Sequence, residues 1–331
     1  MKNVLLIGGA GYVGSVITSH FLKLGYNVRV LDKFVYKNQN AIQAYLGDDN
    51  YEFIYGDFSD RNTLESASKG INNVVILGGL VGDPITKKYP ELSTTINDIG
   101  VKTCIDFFDD KKIEKLIFIS TCSNYGLIKE DQLADEDFEL NPLSLYAKAK
   151  VEAERHLMSK KGKVNYTGTV LRFATAFGLS PRMRFDLSLS EFVRDLYFGE
   201  ELLVFDEHTW RPYCHVKDFA SAIDRVFKAK KRIVDGNIFN VGRNENNFSK
   251  LSIIKLIIKK MKKGNYQIVK DSNDRRNYIV NFSKIKKILR FSPKLSISYG
   301  INEILSQFKK RNIKLNEVNK LGNYTVKKKF L

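Results

Sequence analysis

Tyr146 and Lys150 stand four residues apart in the stretch NPLSLYAKAKVEAE, where the apolar spacing is helical, so a phenol and an ammonium share one helix face about a turn apart. A phenol with a pKa near ~10 is a poor base at neutral pH, and an adjacent ammonium stabilises its deprotonated form. Thr121, at the end of the strand that precedes this helix, offers a hydroxyl that can share a substrate proton with the tyrosine. The pair alone is a weak signal, because Tyr and Lys often meet at this spacing on solvated helices. What surrounds it in the chain gives it meaning.

The first fourteen residues, MKNVLLIGGAGYVG, run from an apolar strand at Val4–Ile7 through Gly8-Gly9 into a helical pattern at Val13, Ile17 and Phe21. Gly8, Gly11 and Gly14 have the spacing of a turn that receives a pyrophosphate: one permits the turn, one lets phosphate reach backbone N–H groups, and one lets helix and strand pack closely. A second strand, Asn27–Leu31, ends in Asp32, placed to accept hydrogen bonds from an adenosine ribose. A carboxylate there repels a 2′-phosphate and points to NAD over NADP, a preference that Lys33 weakens slightly. Asp57, just past a third strand, can accept from an adenine amine. With a dinucleotide expected, a positively charged nicotinamide ring joins Lys150 in drawing the Tyr146 phenol towards ~7, and Lys150 can also hydrogen-bond the nicotinamide ribose.

The elements that position these residues alternate. Strands are expected at 4–7, 27–31, 51–55, 73–77, 116–120 and 166–173, with helices at 61–68, 92–108 and 145–158 and a short one at 41–46. Such alternation predicts an α/β fold, a doubly wound parallel sheet of Rossmann type whose loops gather along one edge. After Phe177 the alternation decays, so a smaller, discontinuous C-terminal lobe is expected from segments woven around the first. Residues 1–177, with about 216–242, are expected to form the dinucleotide domain. The lobe takes about 178–215 and 243–315, and 316–331 is a basic tail, loose at its tip.

Composition narrows the function classes. A chain of 331 residues holds one nucleotide domain and a smaller lobe. No apolar run reaches membrane-spanning length, and the N-terminus enters a strand directly, so a cytoplasmic protein without membrane partners is expected. Cys104, Cys122 and Cys214 are widely spaced and odd in number, which fits a reducing compartment, and four histidines without paired Cys/His spacing give no metal site. The net charge of +17 is spread over many segments, with no stripe interleaved with aromatics. It reads as a lysine-heavy surface biased towards anionic small molecules, and no nucleic acid is expected.

Three motifs in order, GGAGYVG, STCSNYG and YAKAK, resemble the extended short-chain dehydrogenase/reductase family, and more narrowly its NAD-dependent nucleotide-sugar epimerase/dehydratase branch. The resemblance continues through LRFATAFGLSPRMRFD, WRPYCHVKDFASAI and DRRNYIVNFSKIKKILRFSP. It implies Tyr146 as base, Lys150 as its partner and Thr121 as second hydroxyl. Gly8, Gly11, Tyr12, Val13, Gly14, Asp32, Lys33, Asp57, Phe58, Leu77, Gly78 and Lys150 would hold NAD. Arg211 and Arg276 match arginines that contact the diphosphate of a sugar nucleotide, a role that suits a guanidinium fork. Arg182 and Arg184 project the same way if their loop is extended, and either can contact phosphate or base, or form a solvated or interdomain pair. Ser123 and Asn97 are placed on the substrate side, Asn97 as a residue that fixes the active-site loop. His215 is expected to be structural. Trp210 is expected to line the sugar pocket or fill the interlobe core.

The family's 4,6-dehydratases follow the hydroxyl residue with an Asp-Glu pair; here Cys122 and Ser123 stand instead, and dehydration is not expected. The resemblance therefore implies an epimerase of a nucleotide-diphosphate sugar, oxidising a hydroxyl at C4 and returning the hydride, in a homodimer. A dehydrogenase that releases the ketosugar and a ketosugar reductase would use the same residues. A non-catalytic NAD-binding scaffold is the reading from another class.

Overall fold

The computed structural model describes residues 2–129, 132–269 and 276–327. Twelve strands occur in chain order among them: β1 (Asn3–Ile7), β2 (Asn27–Asp32), β3 (Tyr51–Tyr55), β4 (Asn73–Ile76), β5 (Lys115–Thr121), β6 (Thr167–Phe173), β7 (Thr175–Phe177), β8 (Leu202–Phe205), β9 (Trp210–His215), β10 (Asn237–Val241), β11 (Asn247–Ser249) and β12 (Tyr266–Val269). The main sheet has the order β10-β6-β5-β4-β1-β2-β3, and all its pairings are parallel. The chain order reverses between β1 and β4, and it is at such a switch point that a crevice opens beyond the strand ends.

Alternation along each strand explains the two helical layers. Val4 and Leu6 of β1, with Ile117 and Ile119 of β5, face one apolar cluster that includes Ile17, Phe21, Phe219 and Ile223. Leu5, Ile7, Leu116 and Phe118 face the other, with Leu64, Ile105 and Leu157. A strand whose successive side chains both find apolar partners is buried on both faces, which the continuous runs VLLI and LIFI require. The expected helix 92–108 is present but not uniform: Pro90–Ser93 is followed by a π-helical stretch, Thr94–Gly100, then Val101–Phe107.

A third cluster, with Phe177, Phe192, Leu202, Ile253, Ile301 and Ile304, is the core of the smaller lobe. Here β7 pairs with β9 and β11 pairs with β9, while β12 lies parallel to β8. The expected boundaries shift at three places. Phe177 packs in the second lobe. Tyr278, Val280, Phe282, Ile285, Leu289 and Phe291, expected in that lobe, lie in the core of the main sheet. The expected basic tail is packed as far as Lys327: the Phe185 amide donates to the Leu321 carbonyl, the Lys327 amide donates to the Val35 carbonyl, and Val326 is buried with Leu80 and Ile85. Its last four residues lie outside the described ones.

Candidate active site

The first helix, Tyr12–Lys23, starts at Gly11 with no side-chain cap and no acidic residue in its first turn. Its first N–H groups therefore face the crevice without an internal partner. Gly8 has φ +83, and a Cβ there would sit 2.6 Å from the Gly78 backbone; at Gly14 it would sit 2.7 Å from the Gly8 carbonyl. Both positions demand glycine, one for the turn and one for the approach of helix to loop.

Asp32 ends β2, its carboxylate accepting from the Ala10 amide at 3.1 Å and the Phe34 amide at 2.8 Å. Burial raises its pKa, and those amides oppose the rise. The Asn38 side chain donates to the Ala10 carbonyl while its Oδ1, buried in the same wall, has no partner. A bare first helical turn, a carboxylate at the end of β2 and an orphaned acceptor form a cradle that fits an adenosine diphosphate. Lys33 does not stand alone against this carboxylate. It pairs with Asp57 at 2.6 Å. Burial pushes Asp57 up, and Lys33 with the Ser59 amide more than offsets it, leaving the carboxyl below its usual range.

Tyr146 and Lys150 lie on helix Leu145–Met158, capped by the Ser144 hydroxyl receiving the Ala147 amide. Lys150 is buried, with Nζ donating to the Ile119 carbonyl at 2.8 Å and lying 5.9 Å from the Tyr146 ring centroid. Burial lowers its pKa to about 8. The Tyr146 phenol is raised, first by burial, then by the Asp83 carboxylate, with Arg184 opposing. Thr121 ends β5, and its Oγ1 accepts from the Ser123 amide at 3.1 Å.

Behind Thr121 a buried network holds the strand end. Glu154, one turn after Lys150, pairs with Arg172 at 2.8 Å; it also accepts from Ser120 and from Asn124 at 2.8 Å. Arg172 continues to the Tyr125 hydroxyl at 3.0 Å, which donates to Asn240 at 2.8 Å. Within the network the Asn124 Oδ1 alone is buried without a partner, while its Nδ2, the Glu154 carboxylate, the Arg172 guanidinium and the Tyr125 hydroxyl are all paired.

One cavity of about 800 Å³ collects nearly every expected site residue: the glycine turn with Tyr12 and Val13, Asp32, Lys33, Asp57, Phe58, Leu77, Gly78, Thr121, Ser123, Tyr146 and Lys150, and Arg182, Arg184, Arg211 and Arg276. Asn97 is not in the wall itself; it holds the loop that forms the wall, accepting from the Leu80 amide at 2.6 Å and donating to the Leu80 carbonyl at 2.9 Å. One expectation fails. Trp210 is 38% exposed and neither lines the cavity nor fills the core. The arginines are engaged with protein groups. Arg184 pairs with Asp186 at 2.6 Å, Arg276 pairs with Asp83, and Arg182 lies over the Tyr36 ring and donates to the Gly322 carbonyl at 3.1 Å. Arg211 lies 5.0 Å from the Tyr278 ring centroid. His215 is fully buried, with Nε2 3.0 Å from Glu303, and holds the interlobe strand.

Sequence reasoning passed over Asp83, Tyr36, Tyr278 and Asn323, which all line this cavity. Asp83 lies in the stretch after β4, beyond Gly78-Gly79, and was open to the loop-edge argument that found Asp57. The other three arrive from loops with no local signal. Cys122 is buried with its thiol directed at the Arg172 carbonyl, 3.4 Å away, and is not in the cavity wall; burial pushes its pKa well up. Ser123 faces the cavity, 3.1 Å from the Tyr278 hydroxyl.

The family model described as the NAD dependent epimerase/dehydratase family matches residues 4–242. An uncharacterised protein of Methanocaldococcus jannaschii is 26% identical over 324 residues, 93% of this chain and 96% of its own. The dTDP-glucose 4,6-dehydratase of Bacillus anthracis, solved in complex with NAD, is similar in fold, with a TM-score of 0.83 at 24% identity over 94% of this chain and 98% of its own. The UDP-glucuronic acid 4-epimerase of Bacillus cereus, solved with UDP-glucuronic acid and NAD, gives 0.84 at 23% identity over 94% of this chain and 100% of its own.

Proposed function

The chain belongs to the NAD-dependent epimerase/dehydratase family, and from that premise we propose that it is an epimerase of a nucleotide-diphosphate sugar, oxidising and re-reducing one ring hydroxyl, at C4. The observation that carries the reading is the make-up of the cavity wall around Tyr146. Thr121 and Lys150 line the same cavity as the phenol, and the two positions after Thr121 hold no carboxylic acid: Cys122 faces away and Ser123 is a neutral hydroxyl. A wall with a base and no second acid at these positions supports oxidation and reduction, and it opposes elimination of water.

Bound NAD supplies the acceptor and donor of the hydride and, when oxidised, a positive charge near the phenol. Gly8, Gly11 and Gly14 open the first helical turn to its diphosphate, and Asp32 orients its adenosine ribose. Tyr146 takes the proton from the sugar hydroxyl and gives it back after the ketosugar has turned its other face to the cofactor. Lys150 favours the phenolate by charge, and Thr121 holds the hydroxyl in line. Arg211 and Arg276 hold the diphosphate and keep the ketosugar from leaving between the two half-reactions.

The test is the nicotinamide absorbance of the purified protein while UDP-glucose, UDP-glucuronic acid and dTDP-glucose are added without further cofactor. An epimerase converts one of these sugars with no lasting NADH band. A band that builds and stays with released ketosugar identifies a dehydrogenase and refutes the epimerase reading. A protein that binds NAD and converts no nucleotide sugar refutes the enzyme reading.

A further inference from the structure

Arg182 belongs to the smaller lobe by its place in the chain, yet its backbone is fastened to the helix that receives the cofactor. The loop that carries it leaves β7 at Gly178, whose carbonyl accepts from the Tyr12 hydroxyl at 2.6 Å. Two residues on, the Ser180 hydroxyl donates to the Tyr12 carbonyl at 2.6 Å and accepts from the Arg182 amide at 3.2 Å. The Ser15 hydroxyl, on the same helix as Tyr12, lies 2.9 Å from that of Ser180. Tyr12 is the first residue of the helix Tyr12–Lys23, whose first N–H groups face the crevice. The backbone of Arg182 is thus held beside the turn where a diphosphate meets the helix.

The side chain extends towards the end of β2. Its guanidinium lies 5.2 Å from the centroid of the Tyr36 ring, on the loop that follows Asp32, and Nη2 donates to the Gly322 carbonyl at 3.1 Å. Arg182 lines the cavity and is half-buried, so it is open to a ligand there. Among the described residues no carboxylate lies within ion-pair distance of it, whereas its neighbour Arg184 is paired with Asp186 at 2.6 Å. Burial and the Arg184 charge press its pKa down to about 10, with Asp186 and Asp32 opposing, so it is a cation at neutral pH. Arg182 in turn opposes the burial-driven rise of the Asp32 carboxyl. A guanidinium without an ion-pair partner, set between the first helical turn and the carboxylate that ends β2, is matched to an anion with paired oxygens. We propose that Arg182 is a cofactor-binding residue whose guanidinium closes on the diphosphate of NAD together with the first turn of Tyr12–Lys23, so that the smaller lobe completes the cofactor site. NAD then leaves only when this loop lets go, which suits a reaction that hands its hydride back. The proposal rests on the NAD cradle and is independent of the epimerase reading.

The experiment measures NAD affinity by calorimetry and the NAD dissociation rate on the full chain, for the unaltered protein, Arg182→Ala, Arg182→Lys and Ser180→Ala, with NADP and UDP titrated alongside. Loss of a charge-assisted contact lowers NAD affinity about 10- to 100-fold in Arg182→Ala, mostly through faster dissociation. NADP affinity falls by the same factor, because both dinucleotides carry the diphosphate, and UDP affinity stays within about twofold. Arg182→Lys keeps the charge without the fork and recovers part of the loss. Ser180→Ala frees the loop from the Tyr12 carbonyl and weakens NAD in the same direction by less. An NAD affinity within about twofold of the unaltered value in Arg182→Ala overturns the proposal. So does a loss confined to NADP, which would put the guanidinium at the ribose 2′ position, or a loss confined to UDP, which would give it to the sugar nucleotide. Should Arg182→Ala no longer melt cooperatively without nucleotide, Arg182→Lys and Ser180→Ala decide, and NAD binding unchanged in both refutes the proposal. All of these are binding readouts, so failure of this proposal and failure of the epimerase reading are separate results.

Discussion

Replacing Lys150 with Met should stabilise the protein at neutral pH while abolishing turnover. Burial lowers the Lys150 ammonium from 10.5 in an open chain to about 8 in the fold. Each pKa unit is about 1.4 kcal/mol of differential stability, so the charged form costs the fold roughly 3 kcal/mol near neutral pH. Against this stands the hydrogen bond that Nζ donates to the Ile119 carbonyl at 2.8 Å. Leaving that acceptor unpaired takes back about 1 kcal/mol. The net gain is about 2 kcal/mol, or roughly 3 °C in the thermal midpoint of a chain of this size.

The sign has a pH signature. Between about 8 and 10.5 the unfolded chain still holds a proton on Lys150 that the folded chain has lost, so stability of the unaltered protein rises with pH through that window. Lys150→Met lacks this rise, and its advantage should shrink towards zero near about pH 10. Thermal scans of both proteins at about pH 7, 8.5 and 10, with activity measured in parallel, read both parts. A variant less stable at neutral pH, or a stability difference that does not change with pH, would refute the reasoning. It would mean that Lys150 reaches water, or that the Glu154 carboxylate one turn along the helix offsets burial more fully than the geometry shows.

Other perturbations separate chemistry from scaffold. Tyr146→Phe should lower kcat by about 100- to 10,000-fold through loss of the acid–base group, with NAD affinity unchanged in a fluorescence titration; comparable turnover would remove Tyr146 from the reaction. Glu154→Ala strands the Arg172 charge in a site where both side chains are 3% exposed or less, and should destabilise the fold by about 3–5 kcal/mol in urea unfolding. An unmoved midpoint would mean the pair is not buried in solution. Asp83→Asn removes the carboxylate that holds the Tyr146 phenol up, so the rising limb of the kcat/KM–pH profile should move to lower pH. A limb that stays put or moves up would show that Asp83 acts on the site only through Arg276.

Much of the cofactor half was legible because local rules govern it. A strand, a glycine turn and a helix occupy consecutive residues, so the spacing of Gly8, Gly11 and Gly14 already encodes the cradle, and the carboxylate at the end of β2 follows from the strand pattern alone. The i, i+4 pair Tyr146 and Lys150 was legible for the same reason. The substrate half was less so, because it is made of loops far apart in the chain. The ion pair Arg276–Asp83 joins residues 193 positions apart, and no periodicity points to it. Trp210 misled because a large aromatic beside a conspicuous arginine suggests a pocket; yet β9 starts at Trp210, and its side chain faces outward while Arg211 is buried. Asn97, placed on the substrate side as a residue that fixes the active-site loop, sits on a π-helical turn and holds the Leu80 backbone from behind the wall. The tail from residue 316 was legible only as a lysine-rich piece, because the few groups that anchor it, Val326 and Asn323 among them, carry no pattern of their own.

In the proposed mechanism the electrostatics of the site leave the base latent. Burial and Asp83 both hold the Tyr146 phenol protonated, and Arg184, which opposes them, is itself paired with Asp186. Lys150 spends a hydrogen bond on the Ile119 carbonyl, and Arg276 is paired with Asp83. Among the described groups of the wall, the Tyr146 phenol is therefore held protonated at neutral pH, with the groups that could stabilise its phenolate in the same wall. A phenolate there needs added positive charge or the withdrawal of negative charge, and both are changes that a bound ligand brings. Base strength is in this way tied to occupancy of the cavity, which limits proton abstraction from small alcohols that cannot fill it. The same argument separates Asp83→Asn from Lys150→Met: the first removes a charge that suppresses the base, the second a charge that supports it. Asp83→Asn should therefore keep turnover with its rising limb at lower pH, whereas Lys150→Met should lose turnover, even though both substitutions make the cavity less polar.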